Sequence, residues 1–166
     1  MKTVREMLQN KDQNIYSISP DARVFEALEL MAQKNVGALL VVENGELTGI
    51  LSERDYARKV ILQGRTSREL LVREIMTHKV IFVSPKRNAE ECMALMINKH
   101  IRHLPVMENG KLTGIISIGD VVKAVIEDRE FVIDQLFQYI TGTPALQGEA
   151  PAHSIEPPPV SGHSEH

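Results

Sequence analysis

Tryptophan is absent from this chain of 166 residues, aromatic residues make up only 4% of it, and Cys92 is the single cysteine. One cysteine excludes an intrachain disulfide. Its setting, ECMALMI with Met93 and Met96 alongside, is that of a packed helix face without a feature that would activate a thiol. Charge of either sign is not in excess. A formal net charge of −3 with acids and bases interspersed leaves no broad basic face for nucleic acid and no polybasic arm for an anionic membrane. No apolar run approaches the roughly 18 to 20 residues that a membrane span requires, and the opening MKTVREMLQNKDQ lacks a signal-peptide core. A phosphate-binding P-loop, a metal-spaced cluster, and an acid and base paired with a nucleophile are also missing. The expectation is a soluble, cytoplasmic protein that is not an enzyme, with small molecules or another protein as partners.

What is present is a repeat. Residues 15–61 lie over residues 80–126 at a constant offset of 65 with 19 identities in 47 positions, and VREML at Val4 recurs as VREIM at Val72 at an offset of 68. The first copy therefore carries three extra residues, within QNKDQN. Each copy reads alike. IYSI and VIFV are short apolar runs stopped by Ser-Pro, which favours an extended strand over a helix. Val24, Leu28 and Met31, and in the second copy Ala89, Met93 and Met96, recur at helical spacing. LLVV and LPVM then precede Asn-Gly, the pair preferred where two turn residues need positive φ. LTGILS and LTGIIS follow, and Ser52 and Ser117 open further helices. The predicted unit is β-α-β-β-α, an α+β fold in which two copies bury one another's apolar sheet faces about a pseudo-twofold axis.

The expected organisation is a first repeat over 1–68, a second over 69–127, a C-terminal helix over 128–143, and a disordered tail over 144–166 that is rich in Pro, Ser, Gly and His. His153, His163 and His166 in that tail fit no usual metal spacing.

The runs SPDARVFEALELMAQKNVGALLVVENGELTGILSERD and SPKRNAEECMALMINKHIRHLPVMENGKLTGIISIGD resemble two cystathionine-β-synthase (CBS) domains in tandem, the Bateman module, over about residues 1–127. That resemblance implies a two-fold clefted unit that commonly dimerises and often binds adenosine nucleotides in its clefts, with AMP, ADP, ATP, NAD(H) and S-adenosylmethionine all open. The expected oligomer is a homodimer, with an unidentified protein target as a further partner. A structural dimerisation module with empty clefts is the alternative.

Both copies end on Ser-x-x-Asp, which has two readings. Ser with an acid three residues on is a capping box. The resemblance implies a different use of the same geometry, in which a carboxylate in the first turn of a helix accepts both hydroxyls of a ribose and free backbone N–H groups nearby face phosphate. Carried over from the family, one cleft combines Ser52, Arg54 and Asp55 with Ser84, Ala89, Ile101, Arg102 and His103. The other combines Ser117 and Asp120 with Ser19, Val24, Val36 and Gly37. Arg54 and the Arg102-His103 pair would make the first the phosphate-rich cleft, the alternative being that Arg102 and His103 are a solvated helix end, while Gly119 and Gly37 leave the second without matching cations. Arg58, Lys59, Arg65 and Arg68 form a further basic cluster, either a solvated face or a source of phosphate contacts.

Overall fold

The computed structural model describes residues 1–12 and 14–142. Thr3 caps the short helix α1 (Val4–Gln9), which leads to strand β1 (Ser17–Ile18) and helix α2 (Val24–Lys34). Strands β2 (Ala38–Glu43) and β3 (Glu46–Ser52) then form a hairpin. Its turn residues Asn44 and Gly45 have φ of 51° and 80°, as a tight hairpin of this type requires. Helix α3 (Glu53–Lys59) and a 3₁₀ turn (Ile61–Gln63) complete the first copy. The second begins with α4 (Val72–Ile75) and α5 (Ala89–Lys99), continues through the hairpin β4 (His103–Glu108) and β5 (Lys111–Ser117), and closes with α6 (Ile118–Thr141).

The copies match in detail. Each hairpin has an irregularity at the same place, between Val41 and Val42 and between Val106 and Met107. In each the threonine of Leu-Thr-Gly-Ile donates to a carbonyl there, Thr48 Oγ1 to Val41 O and Thr113 Oγ1 to Val106 O, both at 3.2 Å. They differ at the first strand. In the first copy β1 runs parallel to β2, and Leu40 N donates to Tyr16 O. VIFV forms no strand of its own; Val83 alone makes a parallel bridge to Val106. The position equivalent to Leu40 is Pro105, which has no N–H to offer Ile81, so the ladder cannot extend.

Two cores result, and each takes a helix from the opposite copy. Val24, Met31, Leu39 and Leu51 of the first copy pack with Val72, Ile75 and Met76. Val4 and Met7 of α1 pack instead with Cys92, Met96, Leu104 and Ile116 of the second. Backbone bonds seal the exchange, Val72 N to Ala22 O at 2.9 Å and Ala89 N to Lys2 O at 2.9 Å. Each core thus draws on residues from both sides of position 68/69. Where the strands pass under these helices both copies use glycine. A Cβ on Gly49 would stand 2.7 Å from Met76 Sδ, and one on Gly114 would stand 2.8 Å from Leu8 Cδ2.

The helix break expected near residue 127 is absent, because no Gly or Pro falls between Gly119 and Gly142. Gly142, at φ 64°, follows the last helical residue. Contacts divide the chain into a unit of Met1–Glu130 and a second unit beginning at Phe131. The second, described by itself, is helical through Thr141 and exposes Phe131, Ile133, Phe137 and Ile140. The expected tail of 144–166 lies outside the described residues.

Candidate functional site

Both Ser-x-x-Asp endings form reciprocal caps. Ser52 Oγ accepts from Asp55 N at 3.1 Å, and Asp55 Oδ2 accepts from Ser52 N and from Ser52 Oγ–H, both at 3.0 Å. Likewise Ser117 Oγ accepts from Asp120 N at 3.2 Å and Asp120 Oδ2 accepts from Ser117 N at 2.7 Å. The residue leading into each hairpin is stitched to the same helix start, Glu53 N donating to Gly37 O at 3.0 Å and Ile118 N to Arg102 O at 2.8 Å. Capping is thus a settled role of these serines and aspartates. It also fixes each carboxylate beside a cleft.

The cleft at Asp55 has a volume of about 580 Å³. The first copy lines it with Ser52, Arg54, Asp55, Arg58 and Lys59, and the second with Lys79, Ile81, Lys99, Ile101, Arg102 and His103. Arg54 reaches across, donating from Nη1 to His100 O at 3.1 Å. Lys59 Nζ lies 2.9 Å from Asp55 Oδ1 and donates to Ile75 O at 2.8 Å. Cations from both copies therefore face the carboxylates of Asp55 and Glu53 in a cleft that isoleucines also line. That is the chemistry for a ligand with a sugar, an anionic group and a flat apolar part.

The cleft at Ser117 is about 430 Å³ and is lined by Asp12, Asn14, Tyr16, Lys34, Val36, Gly37 and Ala38 from one side, and by His103, Ile115 and Ser117 from the other. Lys11 also lines it, and its Nζ donates to Asp120 Oδ2 at 2.7 Å. Lys34 lies over the Tyr16 ring, 5.4 Å from its centroid. The expectation that this cleft lacks cations is corrected: Lys11 and Lys34 supply them, Lys34 at the position that Lys99 holds in the second copy. His103 is a wall of both clefts, and its ring stands 3.7 Å from where a Cβ on Gly37 would be.

Of the residues expected in the first cleft, Ser52, Arg54, Asp55, Ile101, Arg102 and His103 come together, while Ser84 and Ala89 do not line it. In the second, Val36, Gly37 and Ser117 come together with Asp120 beside them, whereas Ser19 and Val24 stand apart. Val24 and Ala89 are fully buried in their own cores because each is the first residue of an amphipathic helix. Ser19 is exposed, accepting from Asp21 N at 3.2 Å, and Ser84 is exposed in the matching Ser-Pro turn. The segment before each Ser-Pro contributes instead through Asn14 and Tyr16 or Lys79 and Ile81, alternate residues of an extended stretch that face one side. The basic cluster divides too: Arg58 and Lys59 face the cleft, Arg65 pairs with Glu74, and Arg68 lies over the Phe25 ring.

Burial lowers the His103 pKa, the charges of Lys11 and Arg102 push the same way, and Asp120 opposes them. For Asp120 burial works to raise the carboxyl, but the hydrogen bond from Lys11, the Ser117 N–H and the Lys11 charge hold it below the ordinary aspartate range. Burial pushes the Cys92 thiol up to about 11, so it stays protonated at neutral pH. Among the described residues no group of three His, Cys, Asp or Glu is set to hold a metal ion, and no helix is long and apolar enough to cross a membrane.

The CBS domain family model matches this chain twice, at residues 4–61 and 72–127. The chain belongs to the CBS domain family. A CBS-domain protein from Burkholderia ambifaria is 51% identical, with a TM-score of 0.74 over 76% of this chain and 96% of that one. The mitochondrial CBS domain-containing protein CBSX3 of Arabidopsis thaliana is 45% identical over 127 residues, 74% of this chain but 62% of its own length. This CBS pair thus spans less than two thirds of that relative. The CBS domain pair of MJ0100, solved in complex with 5′-methylthioadenosine and S-adenosyl-L-methionine, shares the fold with a TM-score of 0.68 at 21% identity, over 77% of this chain and 98% of that one.

Proposed function

We propose that this CBS pair is a regulatory sensor that binds an adenosine nucleotide (AMP, ADP, ATP or NAD(H)) between its two copies and passes the resulting shift to a partner protein or a second copy of itself. One observation carries the reading: Asp55, locked by its cap, faces a cleft of about 580 Å³ in which Arg54, Arg58 and Lys59 of one copy meet Lys79, Lys99 and Arg102 of the other. A ligand that spans such a cleft favours one arrangement of the copies by no more than its differential affinity for that arrangement. The ligands of MJ0100 share the adenosine moiety that the carboxylate and the isoleucines of this cleft suit.

The test is a thermal-shift and calorimetric panel of AMP, ADP, ATP, NADH and S-adenosylmethionine. A ligand at 100 times its dissociation constant adds about 2.7 kcal/mol of stability. Asp55→Ala, which removes a charge-assisted contact, should weaken it by about ten- to a hundredfold. If no ligand stabilises the wild type, the sensor reading fails.

The alternative, a structural module that only assembles, draws on the apolar residues exposed along α6: Val122 and Ile126 in the first unit, and Phe131, Ile133, Phe137 and Ile140 in the second. These favour a homodimer under either reading. Light scattering at micromolar concentration should give twice the chain mass, and a monomer mass with and without nucleotide would reject it.

A further inference from the structure

The two aspartates are neutralised by lysines of different origin. Asp55 divides its oxygens, Oδ2 accepting from Ser52 and Oδ1 facing Lys59 at 2.9 Å, one turn along its own helix. The position equivalent to Lys59 in the second copy is Ala124, so α6 carries no such cation. Lys11 takes its place from 109 residues away, donating to Asp120 Oδ2 at 2.7 Å and to Ile115 O at 3.2 Å. It sits in QNKDQN, the stretch that holds three residues more than its counterpart in the second copy. The longer stretch thus delivers to the second cleft the charge that its own helix lacks at that position.

We propose that Lys11 is a charge filter, making the Asp120 cleft select phosphate-bearing adenosine ligands over uncharged nucleosides. The proposal rests on the nucleotide-binding reading above. A ribose diol that engages both oxygens of Asp120 competes with Lys11 for Oδ2, which already accepts from Ser117 N at 2.7 Å. An uncharged nucleoside displaces the ammonium and gives it no new partner, leaving a half-buried cation with the Ile115 carbonyl and the Asp12 carboxylate that lines the same cleft. A nucleotide differs on two counts. Its phosphate re-pairs the released ammonium, and the positive charge cancels the repulsion between that phosphate and the Asp120 carboxylate. Both effects favour the phosphorylated ligand.

The test is calorimetry with AMP and with adenosine on wild type and on three variants, Asp55→Ala to silence the first cleft, Asp55→Ala/Lys11→Met, and Asp55→Ala/Lys11→Arg. Relative to Asp55→Ala, Lys11→Met should shrink the preference for AMP over adenosine by about tenfold or more, and Lys11→Arg should restore it. Melting temperatures within a few degrees of one another exclude a folding defect. An unchanged preference in Lys11→Met overturns the filter and leaves the nucleotide reading standing. Binding to the wild type but to none of the Asp55→Ala variants overturns the filter as well, since the second cleft then takes neither ligand. No binding to the wild type overturns both.

Discussion

His103 lines both clefts, against Gly37, and its charged neighbours come from three places, Lys11 after α1, Arg102 before β4 and Asp120 in α6. A neutral imidazole suits that position, since burial and two cations oppose protonation more than Asp120 favours it. The unfolded chain therefore takes up the proton first as pH falls through about 6.5, and the stability that this residue contributes is present above that pH and lost below it. Asp120, depressed in the fold, adds an acid-side loss of the same sign, starting only below its ordinary range near pH 4. Denaturation midpoints should fall between pH 7.5 and 5.5 in the wild type, and the slope should flatten in His103→Gln. An equal slope in the variant would assign the dependence to other groups. Asp55 and Asp120 were legible in the sequence because a cap has a fixed spacing and both copies repeat it. The double exposure of His103 was not, because a residue between two related clefts carries no local pattern.

At the scale of elements, the crossing of β3 under Met76 and of β5 under Leu8 separates two glycines that look equivalent in Leu-Thr-Gly-Ile. A Cβ at Gly49 meets Met76 Sδ at 2.7 Å and also Thr77 O at 3.1 Å, and Thr77 is pinned by backbone bonds in both directions with Ile50. At Gly114 the obstacle is the branched end of Leu8 alone, at 2.8 and 2.9 Å, near the close of a short helix. Gly49→Ala should therefore cost about 1–3 kcal/mol and Gly114→Ala less than about 1, as urea titrations would show; the reverse order would mean that Leu8 is the more rigid wall. Most elements were readable in advance, since helical spacing, Asn-Gly and Ser-Pro each act locally. Two were not. The first strand of the second copy depends on a hydrogen bond that Pro105 cannot make, and the unbroken α6 joins stretches whose apolar positions read as two helices.

For the whole molecule, the exchange of α1 and α4 makes each core incomplete without the other copy's sequence. Damage to one should spread. Ile75→Ala removes a side chain 1% exposed in the first core, at a cost of about 2–5 kcal/mol. Amide protection should then fall in β5 of the second copy as well as in β3 of the first, within one cooperative unfolding transition. Protection lost in β3 alone would show that the cores open independently.

The same exchange sets an order of events as the chain leaves the ribosome. The first core closes on itself between Val24 and Met76, and every residue it needs has been made before the second hairpin exists. Helix α1, made before the first core, waits: the site for Val4 and Met7 is incomplete until the second hairpin and α6 supply Leu104, Ile116 and Val121. The emerging chain thus passes through a state with one finished half and α1 still unpartnered ahead of it, the kind of surface that holdase chaperones take up. A fragment of residues 1–78 should show protected amides in β2 and β3 with α1 exchanging freely, whereas residues 79–142 alone should remain unprotected until a peptide of residues 1–12 is added. Protection of the second fragment without that peptide would mean that α1 is an ornament to the second core and not its closing piece.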